Sequence, residues 1–343
     1  MNRRNFQKQL ATAAIGLPFV GKIKTNEPQL KARRLKKGDT IGVISPGSYI
    51  DDRGFEKAVR NLENLGLNVK LATNVRAQEG YLAGSDVQRL DDLHSMFADR
   101  EVAGVWCIRG GYGCTRLLPN INYDLIRTNP KPIIGYSDIT ALLQAIYVET
   151  GLVGFHGPVA SSNFTRYTTR YLKRTLFQGK RALEIEFSRN NLRKGKRDPA
   201  YEKYTISPGK ARGKLIGGNL SILTSLAGTR WEVDIRDHIL FIEDIGEKPY
   251  RIDRMLTQLR QATNLRRARG IALGIFEDCE AGRSDLSLTL RETLTDRLSD
   301  LNIPVLYGCS FGHIADQFTL PIGITADLDA TRQTLTFLES GVE

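Results

Sequence analysis

The sequence predicts an α/β protein: an N-terminal doubly wound, mostly parallel sheet domain, and a second α/β domain whose C-terminal part is rich in β-structure. Three observations lead there. From Lys37 onward, short β-rich runs alternate with amphipathic helical stretches, which is the pattern of a parallel sheet covered on both faces. Several of the apolar runs end in glycine or in a polar residue, as strands do where a sheet opens onto a site. The chain has 343 residues, 41% hydrophobic and 25% charged, enough for two cores.

Taken in order, TIGVISP (40–46) reads as a strand, and RGFEKAVRNLENLG places apolar residues at helical spacing. LNVKLAT returns as a strand. SDVQRLDDLHSMFAD is a helix with Ser85 as N-cap, and VAGVWCIRGG is a buried strand running into glycines. KPIIGYS, the helix DITALLQAIYVET and the strand GLVGFHGP follow, completing a domain placed at 37–188 that also takes in the strand ALEIEFS. Residues 189–204 are polar, basic and contain Pro199, and read as a linker; a long surface excursion within one domain is the alternative. Residues 205–343 form the second domain. GKARGKLIGG, the helix NLSILTSLAGT, the strand DHILFIEDI, the helix YRIDRMLTQLRQATNLRRA, the strand IALGIFED, a helix from about Asp285 and the strand IPVLYGCS come first. The tail FTLPIGITADLDATRQTLTFLE reads as β-structure turning at Asp327 to Thr331.

Net charge is +11, but its location matters more than its size. Residues 1–37 carry ten Lys/Arg against Glu27, and residues 173–214 carry thirteen against four acids, so the remainder is net acidic. Neither basic block interleaves aromatic residues as a single-strand groove would, which argues against nucleic acid as a partner. Cys107, Cys114, Cys279 and Cys309 are scattered, with no CxxC and no finger-spaced histidine, so buried thiols are expected rather than a zinc site or disulfides. No HExxH, Walker A loop or metal-spaced carboxylate cluster is present, and no metal or cofactor is expected.

Residues 1–36 read as a leader and linker. Arg3-Arg4-Asn5-Phe6-Gln7-Lys8 precedes about a dozen mildly apolar residues, the layout of a signal peptide resembling a twin-arginine export signal. A basic tail on a cytoplasmic protein is the alternative to this periplasmic reading. No cysteine follows to anchor a lipid, and no run elsewhere is long enough to cross a bilayer, so no integral membrane span is expected.

The sharpest local feature is Ile133-Ile134-Gly135-Tyr136-Ser137-Asp138-Ile139-Thr140, a strand meeting a helix with almost no loop. A serine at such a junction projects above the carboxyl end of the sheet, and the N–H of Asp138 points the same way. On this segment alone Ser137 serves equally as a helix N-cap and as a nucleophile. A serine nucleophile needs a base. Of the four histidines, His94 lies on a helix, His238 opens a strand, and His156 ends the strand of FHGP, where it orders the loop. His313, in the glycine-flanked loop after IPVLYGCS, is the chosen base. Glu243 and Asp244 end a buried strand, where an unpaired carboxylate is costly; Glu243 is favoured as the acid that orients the imidazole, Asp244 second. In Arg109-Gly110-Gly111-Tyr112-Gly113 the glycines let backbone N–H groups approach an oxyanion, so Gly110 or Gly111 is a second donor beside Asp138. As a dinucleotide fingerprint the loop lacks its third glycine.

Laid in order, IRGGYGCTRLLP, IIGYSDITALL, GFHGPV, GKLIGGNLSIL, FIEDIGEKPYRIDRMLTQL and PVLYGCSFGHIADQFTLPIGITADLD resemble the LD-carboxypeptidase family, which includes murein tetrapeptide carboxypeptidases and microcin C self-immunity peptidases. The resemblance implies Ser137 as nucleophile, Glu243 as orienting acid, His313 as base, and Asp138 with Gly110 and Gly111 as oxyanion hole. It implies a two-domain serine peptidase, often a homodimer, with its site between the domains. The implied reaction is release of terminal D-alanine from a murein tetrapeptide. Arg109, Arg116 and Lys248 are charged candidates for the substrate carboxylate, each readable also as a surface residue. Asn219 is a substrate contact by resemblance and an N-cap by position. The rivals are a peptidase for aminoacyl-nucleotide conjugates, for which Tyr201 and Tyr204 are the aromatic candidates, and a non-catalytic periplasmic peptide-binding protein.

Overall fold

A computed structural model describes residues 29–282 and 286–343. The signal-like residues of the leader fall outside the described residues. The first sheet runs in the order β12-β5-β4-β3-β1-β2. Its parallel members are β1 (Thr40–Ile44), β2 (Asn68–Leu71), β3 (Val102–Cys107), β4 (Ile133–Gly135) and β5 (Phe155–His156), and β12 (Leu320–Pro321) closes the edge antiparallel to β5. The β1 and β3 strands are buried apolar runs, as strands covered on both faces must be. Around them lie α1 (Asp52–Asn64), α2 (Asp86–Ala98), α3 (Cys114–Leu117), α4 (Tyr123–Thr128), α5 (Thr140–Thr150) and α6 (Arg166–Leu172). Asp51 caps α1 through the Gly54 N–H, and Ser85 and Gln88 form a reciprocal capping box on α2.

The second sheet has the order β6-β14-β13-β8-β9-β10-β11-β7. Its parallel centre is β8 (Lys210–Asn219), β9 (His238–Glu243), β10 (Gly270–Leu273) and β11 (Val305–Tyr307). Antiparallel flanks come from β6 (Leu183–Glu184), β7 (Tyr204–Ser207), β13 (Thr325–Asp329) and β14 (Thr334–Phe337). The helices of this half are α7 (Arg189–Lys194), α8 (Leu220–Leu226), α9 (Pro249–Ala262) and α10 (Leu290–Leu298). Among the described residues no helix is long and apolar enough to cross a membrane.

The structure departs from the sequence reading where the chain crosses between sheets. Residues 189–204 are packed structure and not a free connector: α7 and a short turn at Pro199–Tyr201 lead into β7, with Ala200 and Tyr201 buried. The buried Asp316 carboxylate accepts from Ser188 Oγ at 2.6 Å and Asn190 Nδ2 at 2.9 Å, and Asn191 Nδ2 reaches the Asp316 carbonyl at 2.9 Å. The two sheets also exchange strands, β6 entering the second and β12 the first. The predicted late helix begins at Leu290, where Thr289 and Glu292 form its capping box, and the β-turn of the tail falls between β13 and β14, a few residues beyond the expected position. One continuous apolar cluster joins Trp106, Leu142 and Phe155 of the first sheet's half to Phe241, Leu306, Phe311 and Phe337 of the second's.

Candidate active site

Ser137 is separated from β4 by Tyr136 alone and opens a single 3-10 turn, Ser137–Ile139, that feeds α5. Its φ is +64°, a left-handed conformation costly for any residue with a Cβ and the form of a strained strand-to-helix elbow. Gly110 sits against it. A Cβ at 110 would lie 2.9 Å from Ser137 Cβ and 3.1 Å from its Oγ, so only glycine allows the approach. Gly111 has φ +103°, and a Cβ there would overlap the Ser48 side chain. Among the described residues no acceptor takes the N–H of Gly110 or Gly111.

Asp138 does more than present its backbone. Its buried carboxylate accepts from the Cys114 N–H at 2.9 Å, tying the elbow to the glycine loop, and burial pushes that carboxyl above the usual range. On the far side of the loop stands a residue the sequence reading passed over. Arg89, 1% exposed, donates to the Pro46 carbonyl at 2.6 Å and the Gly113 carbonyl at 3.1 Å, and pairs with Asp86. The signal was available: Arg89 and Asp92 fall on the same buried stripe of α2 as Leu90, Leu93, Met96 and Phe97.

At the end of β9 the two acids separate by environment. Glu243 is fully buried and its Oε2 lies 2.7 Å from His313 Nδ1. Asp244 instead accepts from Ser221 N at 2.9 Å and Ser221 Oγ at 2.8 Å, anchoring the start of α8. Burial opposes charge on Glu243, but the charge and hydrogen bond of His313, together with His156 and Asn219, outweigh it and the carboxyl is held below its ordinary value. Burial likewise opposes charge on His313; the Glu243 carboxylate, by charge and hydrogen bond, reverses this and raises the imidazole. The Ser137 elbow meets this pair through Tyr136, whose ring centroid is 4.7 Å from that of His313. The Ser137 hydroxyl makes no hydrogen bond to His313 in this structure. Such contacts are often long without substrate and tighten in the reacting complex.

The other predicted residues are placed as follows. Asn219 caps α8 through the Ile222 N–H, and its buried Nδ2 donates to Asp244 at 2.9 Å and, more weakly, to Glu243 at 3.4 Å. Arg109 donates to the Tyr49 carbonyl at 2.9 Å. Arg116 is held by Asp86 through two nitrogens, Nε at 2.9 Å and Nη2 at 3.0 Å. Lys248 precedes α9 and lines a cavity of about 670 Å³ with Tyr250, Asp253 and Leu288. His156 is 1% exposed, and neither ring nitrogen has a hydrogen-bond partner. Burial holds that imidazole down to about 4.

Comparison with known proteins gives this arrangement its family. Residues 41–157 match the LD-carboxypeptidase N-terminal domain and residues 212–328 the LD-carboxypeptidase C-terminal domain. The chain is 43% identical over 316 residues to a probable murein peptide carboxypeptidase of Bacillus subtilis, covering 91% of this chain and 95% of that one. It is 34% identical to a murein tetrapeptide carboxypeptidase of Pseudomonas aeruginosa, covering 85% and 94% respectively. Among solved structures, a microcin-immunity-like protein from Bacillus anthracis superposes with a TM-score of 0.79 at 32% identity, covering 90% of this chain and 99% of that one. Both family domains are present in order, and on these matches the chain belongs to the LD-carboxypeptidase family.

Proposed function

We propose that this protein is a serine-type LD-carboxypeptidase that releases terminal D-alanine from murein tetrapeptide, with Ser137, Glu243 and His313 as its catalytic set. The observation that carries the reading is the fully buried Glu243 carboxylate 2.7 Å from His313 Nδ1, with Tyr136, the residue before the strained Ser137, against the same imidazole. Relatives named for murein peptides at 43% and 34% identity support the substrate.

In the proposed reaction Ser137 Oγ forms a bond to the carbonyl carbon before D-Ala, its proton passes to His313 Nε2, and the carbonyl π pair moves onto oxygen. The N–H groups of Asp138 and of Gly110 or Gly111 receive that oxyanion, each donor contributing about 3 kcal/mol in the transition state. When the carbonyl re-forms, the C–N bond breaks and His313 gives its proton to the departing amine. Water then attacks the acyl-enzyme, losing a proton to His313, which returns it to Oγ as the tripeptide leaves. Arg109, Arg116 and Lys248 are the proposed cations for the terminal carboxylate, and Asn219 acts through the two acids it touches.

The nucleotide-conjugate reading is less well supported, because Tyr201 and Tyr204 are both buried and Tyr204 already stacks on Tyr307 at 4.7 Å. The deciding experiment follows D-alanine release from murein tetrapeptide by mass spectrometry. Ser137→Ala and His313→Ala are each expected to lose at least about 10⁴-fold in kcat. Full activity in either variant overturns the mechanism. A parent inert on tetrapeptide but active on an aminoacyl adenylate moves the assignment to that substrate, and peptide binding without turnover of either makes the protein a binder. Export and homodimer formation belong to the same proposal, checked by cell fractionation with N-terminal sequencing and by light scattering.

A further inference from the structure

Behind Glu243 and His313 lies a box of rings that the mechanism has not used. Tyr136 stands between two histidines, 4.7 Å from the His313 ring and 6.1 Å from that of His156. His156 is packed in turn against Phe241 at 5.3 Å and Phe311 at 6.3 Å, and these two phenylalanines meet each other at 5.9 Å. His156, Phe241 and Phe311 are each at most 1% exposed, so the space beside the acid–base pair is of low dielectric. A cation formed there interacts strongly with whatever ring is nearest.

We propose that Tyr136 is a positioning residue for the base: its ring fixes the orientation of the His313 imidazole and stabilises the imidazolium that forms as Ser137 gives up its proton. The centroids are 4.7 Å apart with the ring planes tilted by 59°, inside the roughly 6 Å over which a ring face attracts a cation. Because His313 is neutral before attack and charged in the tetrahedral state, this attraction is stronger in the transition state than in the ground state, which raises kcat and leaves KM little changed. The charged and titratable groups facing His313 are Glu243 and Asp244 from the end of β9, Glu277 beyond β10, and His156 from β5. Burial holds His156 down to about 4, so it is neutral at neutral pH. Tyr136 also precedes Ser137, so one residue links the nucleophile's backbone to the base's ring.

The inference rests on His313 being the base, and its test reads the imidazole directly. In full-length protein carrying Ser137→Ala, the four histidines are assigned by substitution and the His313 ring is titrated by NMR, with kcat and KM measured in parallel on the Ser137 form. Tyr136→Phe, which keeps the ring, is expected to titrate like the parent. Tyr136→Leu is expected to move the His313 midpoint to lower pH and to lose about three- to thirtyfold in kcat with KM little changed. Should the leucine variant not fold, phenylalanine bearing successive fluorines at position 136 keeps the shape while draining the ring's negative face. A midpoint falling with each fluorine supports the proposal; an unmoved midpoint, or a rise, overturns it. Failure of the catalytic assignment shows elsewhere, as full activity in His313→Ala, whatever the titration does.

Discussion

Glu243 and His313 illustrate how two groups that burial would discharge each shift the other towards its charged form. In the proposed mechanism the base must be unprotonated to accept the serine proton, so activity is expected to fall as pH drops through the His313 midpoint, which lies above the ordinary 6.5. Glu243→Gln removes the charge that raises the imidazole and leaves its burial in place. The acid limb of kcat/KM is therefore expected to move to lower pH, with kcat reduced about a thousandfold or more; an acid limb that stays put contradicts the electrostatic account. His156 gives a second pH effect, on stability. Its folded value near 4 lies below the ordinary 6.5, so the unfolded chain binds a proton first. Stability is fully present above about pH 6.5 and is lost progressively as pH falls towards 4, by about 3 kcal/mol. His156→Phe is expected to flatten that part of the urea-unfolding profile, and an unchanged slope refutes the assignment. The sequence made Glu243 and His313 legible because each ends or follows a buried apolar strand. It hid the pairing of Asp244 with Ser221 and the ring of Tyr136 against His313, which depend on contacts between segments more than a hundred residues apart for Tyr136 and His313.

Strand ends and glycine loops set the site's geometry, and their demands differ. Gly217, on β8, has φ +144°, and a Cβ there would overlap the Phe241 carbonyl oxygen of the neighbouring strand. Gly246 has φ +69° and nothing within 4 Å of such a Cβ. Gly217→Ala is expected to cost about 3 kcal/mol or more, Gly246→Ala only about 1 kcal/mol, as differential scanning calorimetry would show. Equal losses would mean that packing at β8 yields more easily than its backbone contacts indicate. The regular elements were readable because hydrophobic spacing and caps are local: Ser85 was recognised as the cap it is. The segment 189–204 was not, because its polarity and Pro199 resemble a solvated linker, while the Asp316 carboxylate that binds it lies far along the chain.

At the scale of the molecule, two sheets behave as one body. The apolar cluster is continuous from Phe155 to Phe337, Thr140 Oγ1 accepts from the Asn219 N–H at 3.1 Å, and Gln144 donates to the Gly217 carbonyl. Unfolding is expected to be a single cooperative transition. Trp106 lies on the first sheet and Trp231 between α8 and β9, so Trp106→Phe and Trp231→Phe leave one fluorescent reporter in each half. Coincident melting curves, referred to each variant's calorimetric midpoint, are the expected result; separated transitions would show that the halves fold independently. A two-domain α/β architecture was legible from alternating strands and helices. The exchange of β6 and β12 was not, since short edge strands carry little pattern of their own.

That exchange bears on synthesis. The β5 strand leaves the ribosome with its outer edge open, and β12, at Leu320–Pro321, emerges only after the parallel centre of the second sheet. His313 lies just ahead of β12, so a nascent chain stopped short of it lacks both the edge strand that covers β5 and the imidazole that meets Glu243. Translation therefore delivers the edge strand of the first sheet and the imidazole that pairs with Glu243 together, ahead of β13 and β14.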